Sequence, residues 1–379
     1  MTSVQSGSVP SSSLPTPSDV WTRTLVPAAH RASESTIHKR SAAGGFGSNF
    51  TEHMVMLTWT AERGWHNGTV VPYGPLSVDP SLVGLHYGQV VFEGLKVLRQ
   101  PDGGIAAFRA ADYAHRFGDS ARRLAMPTLP AGMFVAAVRE LAIADDRWIP
   151  SDEGQSLYLR PTIYASEATL ALRPAIEYTF LLVGFPTAPF FGSMLEPIDV
   201  WVSRKYSRAA PGGTGFAKCA GNYAASFLAQ KEAEEHDCRQ VLWLDSSEKR
   251  WVEEMGGMNV FWVTRSGVLV TPPLTDTILP GVTRDSVISI AGRLGIPVEE
   301  RRMAIDDFCK QIDDGTIAEV FACGTASGIT PVGRILSDNG ASVIMQISGE
   351  SLTSRLRDVL IGIQYGREPD FGNWLLRIQ

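Results

Sequence analysis

A single lysine set among glycines constrains this chain more than any other feature. Residues 211–226 read PGGTGFAKCAGNYAAS, with Gly212, Gly213, Gly215 and Gly221 around Lys218. Glycines at that density remove side chains where a bulky group must come close to the backbone. An alanine-rich helix is predicted next. Asn222 is placed as its N-cap, and Tyr223, Phe227, Gln230 and Lys231 keep helical spacing to about His236. A lysine desolvated in such a setting gives up its proton more readily than in water and can form a Schiff base as a nucleophile. Two blander readings compete. Most lysines are solvated surface charges. A phosphate-gripping P-loop needs Gly-Lys-Ser/Thr, whereas Ala217 precedes and Cys219 follows Lys218, so that motif fails.

With 379 residues the chain is long enough for two domains, each with its own core. A hydrophobic share of 44% and a charged share of 20% are those of a soluble globular protein. The net charge of -6 and the lack of a long basic block argue against nucleic acid as the partner. Cys219, Cys238, Cys309 and Cys323 never form C-x-x-C, so no zinc or redox pair is indicated, and unpatterned thiols fit a reducing, cytoplasmic setting. No apolar run is long enough to cross a membrane.

Residues 1–44 are expected to be a disordered tail, rich in Ser, Thr and Pro at its start and poor in large apolar residues. They lack the apolar core of a secretory signal, while Arg23, Arg31, Lys39 and Arg40 leave organellar targeting open. From Phe46 the pattern is globular: strands and turns to Pro80, then strands over Leu85–Arg109 broken by a turn at Pro101–Gly104. Helical spacing (Tyr113, Phe117, Ala121, Leu124) stops at Pro127, a second helix covers Ala131–Ala144, and LYLRPTIYAS and EYTFLLVGF are strand-like. Residues 188–197 are a short Pro/Gly connection between an α/β domain (45–187) and a second domain (198–379). There strand-like runs alternate with helices, ending in an amphipathic helix over Leu352–Ile363.

Three further stretches gain meaning beside Lys218. In WVEEMGGMNVFWV, Glu253 and Glu254 precede a Gly-Gly turn, and a carboxylate at the mouth of a buried strand can hold a positive charge on a ring nitrogen. LPGVTRDS opens a helix whose unpaired N–H groups suit a phosphate, with Thr283 adding a hydroxyl. The turn from Cys323 to Pro331 is made of small residues whose backbone can approach an anion. Each alone reads as a solvated turn, an ordinary N-cap or a loop.

Taken in order, LHYGQVVFEGLK, LYLRP, GGTGFAKCAGNYAAS, EEMGGMN, LPGVTRDS and EVFACGTAS resemble the branched-chain amino acid aminotransferases, pyridoxal-phosphate enzymes of fold type IV. The resemblance runs from about Phe46 to Tyr365. It implies a mixed α+β/α/β architecture, with a smaller N-terminal α/β domain, a larger C-terminal domain containing a pseudo-barrel, and an active site at their interface. By this resemblance Lys218 carries the pyridoxal 5'-phosphate and shuttles the proton between substrate Cα and cofactor C4′. Tyr223 bonds the phenolic oxygen and Glu254 pairs with the pyridine nitrogen. Arg116, Val282, Thr283 and Thr325 surround the phosphate, and Gly257 lies beside the ring. The protein's part is to orient a cofactor that supplies the electron sink.

The resemblance also implies a substrate pocket walled by Phe46, Tyr87, Phe92 and Tyr158, with Arg160 near the substrate's acidic end and Ala326 in a turn facing the α-carboxylate. Tyr87, Leu170 and Leu172 are expected to reach a neighbouring subunit, which implies a homodimer. An apolar pocket separates chains differing by one methylene by only about 1–3 kcal/mol, so Leu, Ile and Val would share one site, with 2-oxoglutarate as the amino acceptor. Departures from the family pattern fall at Ala168, Ala171 and Leu172, at Phe190 in place of tyrosine, and at Ser327 and Thr330 in place of a cysteine pair. They loosen the substrate assignment toward an unusual or aromatic amino acid. A D-amino acid aminotransferase or aminodeoxychorismate lyase would keep the lysine and glutamate but not LHYGQxxFEG or EEMGGMN. A non-catalytic binder would not need Lys218, Tyr223, Glu254 and Arg116 together.

Overall fold

Among the described residues, two nine-stranded sheets, one built mainly from each half of the sequence, meet along a seam. The computed structural model describes residues 21–42, 45–187, 196–338, 342–344 and 351–379. The first sheet holds β1 (Trp21–Arg23), β2 (His53–Thr60), β3 (Gly64–Pro72), β4 (Val90–Phe92), β5 (Leu95–Arg99), β6 (Ile105–Phe108), β7 (Ser156–Ala165) and β8 (Glu177–Thr187). Their order is β1-β3-β2-β8-β7-β5-β6, with β4 beside β7. The two-residue period of β7 buries Leu157, Leu159 and Ile163 on one face and turns Tyr158 and Arg160 to the other.

Helices α1 (Glu34–Ala42), α2 (Val83–Tyr87), α3 (Ala110–Arg123) and α4 (Ala131–Ala144) accompany this sheet. On α3 the helical repeat buries Tyr113, Phe117 and Ala121, and Phe117 packs against Phe134 of α4 and Phe180 of β8. Each such fully buried side chain contributes about 1.5–3 kcal/mol by leaving water.

The second sheet comprises β9 (Ile198–Ser203), β10 (Gln240–Leu244), β11 (Val252–Met255), β12 (Met258–Thr264), β13 (Leu269–Thr271), β14 (Val298–Glu300), β15 (Ile317–Gly324), β16 (Gly328–Leu336) and β17 (Ser342–Ile344). The order β11-β10-β9-β16-β15-β12 closes on itself because β12 also pairs with β11, which makes the expected pseudo-barrel a ring of six strands. Around it run α5 (Ala220–Ala224), α6 (Phe227–Glu235), α7 (Val282–Arg293), α8 (Ile305–Asp313) and α9 (Leu352–Gln364). Cys219, next to Lys218, and Val282, first residue of α7, both lie in the core of the first sheet's layer. Both elements are thereby anchored across the seam.

Three expectations change. The tail expected over 1–44 is ordered from Trp21 to Ala42. Here β1 pairs with β3, Arg23 forms a double hydrogen bond with Glu140, Val26 N–H donates to His53 Nε2 (2.9 Å), and Ala32 N–H donates to Glu52 (2.5 Å). These partners are remote in sequence, so a polar local composition did not reveal them. Residues 1–20 lie outside the described residues. Second, β18 (Leu375–Arg377) pairs antiparallel with β6, so the division at 198 does not keep these residues with the second sheet. Third, Asn222 is not an N-cap: α5 begins at Ala220, and the Asn222 amide bonds backward into the lysine loop. Most of the 188–197 connection, with Phe190, lies outside the described residues.

The clasp holding the N-terminal segment centres on His53 and Asp145, both fully buried at the side chain. Because His53 Nε2 accepts from Val26, its proton sits on Nδ1 and is donated to Asp145 at 2.6 Å. Asp145→Ala is expected to lower unfolding stability by about 3 kcal/mol, read by urea denaturation, since it strands a buried partner. A midpoint unchanged within error would show the clasp to be dispensable.

Candidate active site

Lys218 is fixed by its main chain before its side chain is considered. Its N–H donates to Ser120 Oγ of α3 (2.9 Å), and its carbonyl accepts from Phe92 N–H at the end of β4 (3.0 Å). Both partners belong to the first layer. On the other side, Asn222 Nδ2 donates to the carbonyls of Thr214 and Ala217 at 2.7 and 2.8 Å, and Thr214 donates its hydroxyl to Asn222 Oδ1. The glycines have distinct reasons. Gly212 has φ +72, which an L side chain resists, and a Cβ on Gly215 would sit 2.5 Å from the Thr277 carbonyl oxygen. Thus held, Lys218 Nζ donates to Tyr223 Oη at 2.9 Å, and the Tyr223 ring meets Phe92 edge-on, 4.8 Å between centroids.

Glu254 ends up buried because β11 and β12 form a two-residue hairpin. Gly256 supplies the left-handed turn with φ +56, and a Cβ there would collide with Gln240. Glu254 then stands opposite Asn259, only 2% exposed, while Glu253 turns to the other face and accepts from Thr277 Oγ1 at 2.7 Å. Glu254 Oε1 accepts from Asn259 Nδ2 (3.2 Å) and Leu279 N–H (2.9 Å), and Oε2 pairs with Arg208 Nε at 2.5 Å. Burial pushes its carboxyl up to about 7, opposed chiefly by Arg208 and the Leu279 N–H, with Glu253 pushing up and Lys218 down.

The third part of the seam is built to hold an anion. Gly281 precedes α7 and offers no side-chain cap, and a Cβ on it would collide with Asn259. The first N–H groups of α7, at Val282 and Thr283, therefore lack a capping side chain. Arg116 of α3 donates to Glu93 from Nε and Nη2 (2.6 and 2.9 Å) and to the Pro280 carbonyl from Nη1 (3.1 Å), which leaves one N–H on each terminal nitrogen. The Glu93 carboxylate beside it, together with Tyr113 and Tyr223, holds the Arg116 guanidinium firmly protonated against burial. Thr325, at the turn between β15 and β16, shares a 2.7 Å hydrogen bond with Tyr113 Oη.

Arg160 lies on the seam face of β7 with its charge centre 4.9 Å from the Phe92 ring, 5.7 Å from Tyr158 and 5.9 Å from Phe46. Its Nε is buried with no hydrogen-bond partner among the described residues. Phe46 packs edge-on against Tyr158 and Phe185. Ala326 occupies the turn beside Thr325, and an ideal Cβ on Gly257 would lie 3.6 Å from the Tyr223 ring. By contrast, Tyr87, Leu170 and Leu172 form a separate exposed face (47%, 54% and 87% exposed), where Tyr87 Oη donates to the Leu170 carbonyl. Sequence reasoning missed Arg208, Glu93, Ser120 and Gly94. Only FEG and the glycine count signalled two of them; Arg208 and Ser120 act through partners far along the chain.

The fold and this seam define a class: residues 90–335 match the family described as amino-transferase class IV, and the chain belongs to that family. Its relatives narrow the comparison to one activity. The branched-chain-amino-acid aminotransferase of Mycolicibacterium smegmatis is 48% identical over 338 residues, 88% of this chain and 92% of that protein. The crystal structure of the Escherichia coli branched-chain amino acid aminotransferase superposes with TM-score 0.72 at 29% identity, covering 85% of this chain and 99% of that one. The branched-chain amino acid aminotransferase from Thermobaculum terrenum, in its PLP-bound holo form, gives 0.68 at 26% identity, covering 85% and 98%. Class IV aminotransferases use pyridoxal phosphate.

Gly94 tests the aromatic wall. A Cβ at this position would collide with Tyr158 Oη. Gly94→Ala is expected to raise KM for the amino acid about tenfold, equivalent to about 1.4 kcal/mol, with the fold retained in circular dichroism. An unchanged KM would remove Tyr158 from the pocket.

Proposed function

We propose that this chain transfers the amino group of leucine, isoleucine and valine to 2-oxoglutarate, using pyridoxal 5'-phosphate held by Lys218. The observation that carries this reading is the Lys218–Tyr223 pair at 2.9 Å in the same seam as a buried Glu254 carboxylate. The residues present fit the cofactor. An amine and a phenol meet at one position, a desolvated carboxylate suits a ring nitrogen, and an uncapped helix start beside a guanidinium with free N–H groups suits a phosphate. The names of the 48%-identical relative and of the structural neighbours support the substrate class.

Once bound, the cofactor supplies an electron sink for the charge left when the substrate loses its Cα proton. Lys218 Nζ takes that proton and returns it; positioned proton transfer of this kind typically contributes about 10² to 10⁴-fold. Tyr223 Oη, already bonded to Nζ, keeps the amine aimed. Glu254 holds a proton at the ring nitrogen through a charge-assisted hydrogen bond. Val282 and Thr283 N–H, the Thr325 hydroxyl and Arg116 hold the phosphate, with Glu93 keeping the guanidinium in place. Arg160 supplies its unpartnered Nε–H to a substrate carboxylate, Ala326 places a backbone N–H at the other end, and Phe46, Phe92 and Tyr158 exclude water around an aliphatic side chain.

The exposed face of Tyr87, Leu170 and Leu172 is assigned to a homodimer contact. Leu85 and Ile176 add to it at 65% and 51% exposure, and a backbone bridge between Leu82 and Ala168 ties its two loops together. Apolar surface of this kind gains by being covered. The four cysteines are free, in keeping with a cytoplasmic protein, and no helix among the described residues is long and apolar enough to cross a membrane. The two functional units are assigned to 45–187 and to 198 onward, joined over 188–197, with the last strand, β18, returning to the sheet of the first unit.

Lys218→Ala is expected to lose the visible absorption band of the cofactor-loaded protein and at least about 10²-fold in turnover with leucine and 2-oxoglutarate. A variant that keeps the band would sink the assignment. Leu172→Asp is expected to shift the protein from dimer to monomer in light scattering and to depress activity. A wild-type protein that is already monomeric and fully active would remove the dimer assignment.

A further inference from the structure

Arg208 is used by none of the steps above, yet its side chain joins the two halves of the site. It is only 10% exposed, and its Nε meets Glu254 Oε2 at 2.5 Å. Its Nη2 donates to the carbonyls of Gly215 and Thr277, the first at 3.1 Å. Gly215 is three residues before Lys218, and Thr277 is two residues before Leu279, whose N–H donates to the other oxygen of Glu254. One planar guanidinium therefore spans the carboxylate, the lysine loop and the segment leading into α7, which carries a second donor to that carboxylate. Lysine, with a compact point charge, cannot reproduce this fork.

We infer that Arg208 is a positioning residue that acts through Glu254, holding it in its carboxylate form with one Oε2 lone pair aimed at the ring nitrogen and in fixed register with Lys218. The inference rests on the reading of Glu254 proposed above. The balance of charge around the carboxylate supports it. Glu254 is buried; Asn259 and the Leu279 N–H are neutral donors on Oε1, Glu253 is a like charge, and Lys218 is a further cation acting on it. Arg208 is the largest influence lowering its pKa. Without it, the buried carboxyl beside another acid is pushed further toward its protonated form and holds less charge against the ring. A purely structural role for Arg208, as a tie between loops, would predict lost stability and nothing specific at the ring nitrogen.

The test uses the cofactor-loaded protein with Arg208→Gln, Arg208→Lys and Glu254→Gln, each checked by circular dichroism. Cofactor labelled with ¹⁵N in the ring reports protonation of that nitrogen directly by NMR. Arg208→Gln is expected to move the ring-nitrogen signal toward that of the unprotonated base. It is also expected to lower kcat for leucine about 10- to 100-fold with KM within threefold, and to displace the acid limb of the pH profile to higher pH. Arg208→Lys is expected to restore the nitrogen signal in part, and stays informative should the glutamine variant fail to fold. A ring nitrogen unchanged in either folded Arg208 variant, while Glu254→Gln shifts it, overturns the role of Arg208 and leaves that of Glu254 standing. A ring nitrogen unchanged in Glu254→Gln overturns the assignment of Glu254, and the inference with it.

Discussion

The structure depends on one backbone position held from both sides. Lys218 has its N–H on a serine of α3 and its carbonyl on the end of β4, while the loop before it is tied by Asn222 to α5. Backbone bonds to separate elements over-determine the position, so the side chain inherits little freedom beyond its own rotamers. Catalytic geometry of this sort must hold to a fraction of an ångström. The neighbouring residue Cys219 is buried in the first layer's core, so packing and hydrogen bonding fix the same point.

Several of the charges in the seam are arranged as compensated pairs. Glu93 and Arg116 face each other with two hydrogen bonds at one end, Glu254 and Arg208 at the other, and Arg109, just before α3, reaches Asp285 and Ser286 on α7. A buried pair is weak evidence for stability, because desolvation offsets most of the attraction. Its value here is directional. Each pair leaves unused hydrogen-bonding capacity on one partner, Arg116 toward the start of α7 and Glu254 on Oε2, so a ligand with an anionic and a cationic end has one orientation.

Much of this was legible in the sequence for a simple reason: local backbone demands write themselves locally. The Gly-Gly turn announced the β11–β12 hairpin, the family resemblance chose Glu254 over Glu253, and the structure buries Glu254. Helical spacing marked α3, and the family resemblance singled out Arg116 on it. What stayed hidden was contact at long range. Arg208 in SRAAPGG looks like any loop arginine until Thr277 and Glu254 are brought beside it. Residues 21–42 read as polar tail, yet Val26 and Ala32 find acceptors on His53 at the start of β2 and on Glu52 just before it. Asn222 had the right chemistry for a cap and used it on the preceding loop instead.

The strand β18 carries a consequence for how the protein is made. It covers the open side of β6, so the first sheet keeps an unsatisfied edge throughout synthesis of the barrel and gains this partner only as residues 375–377 leave the ribosome. Until then, β6 offers an exposed row of donors and acceptors to any nascent neighbour. Completion of the earlier layer thus waits on a strand made after the later one, and the cell's chaperones meet a half-built sheet while the whole barrel is being translated.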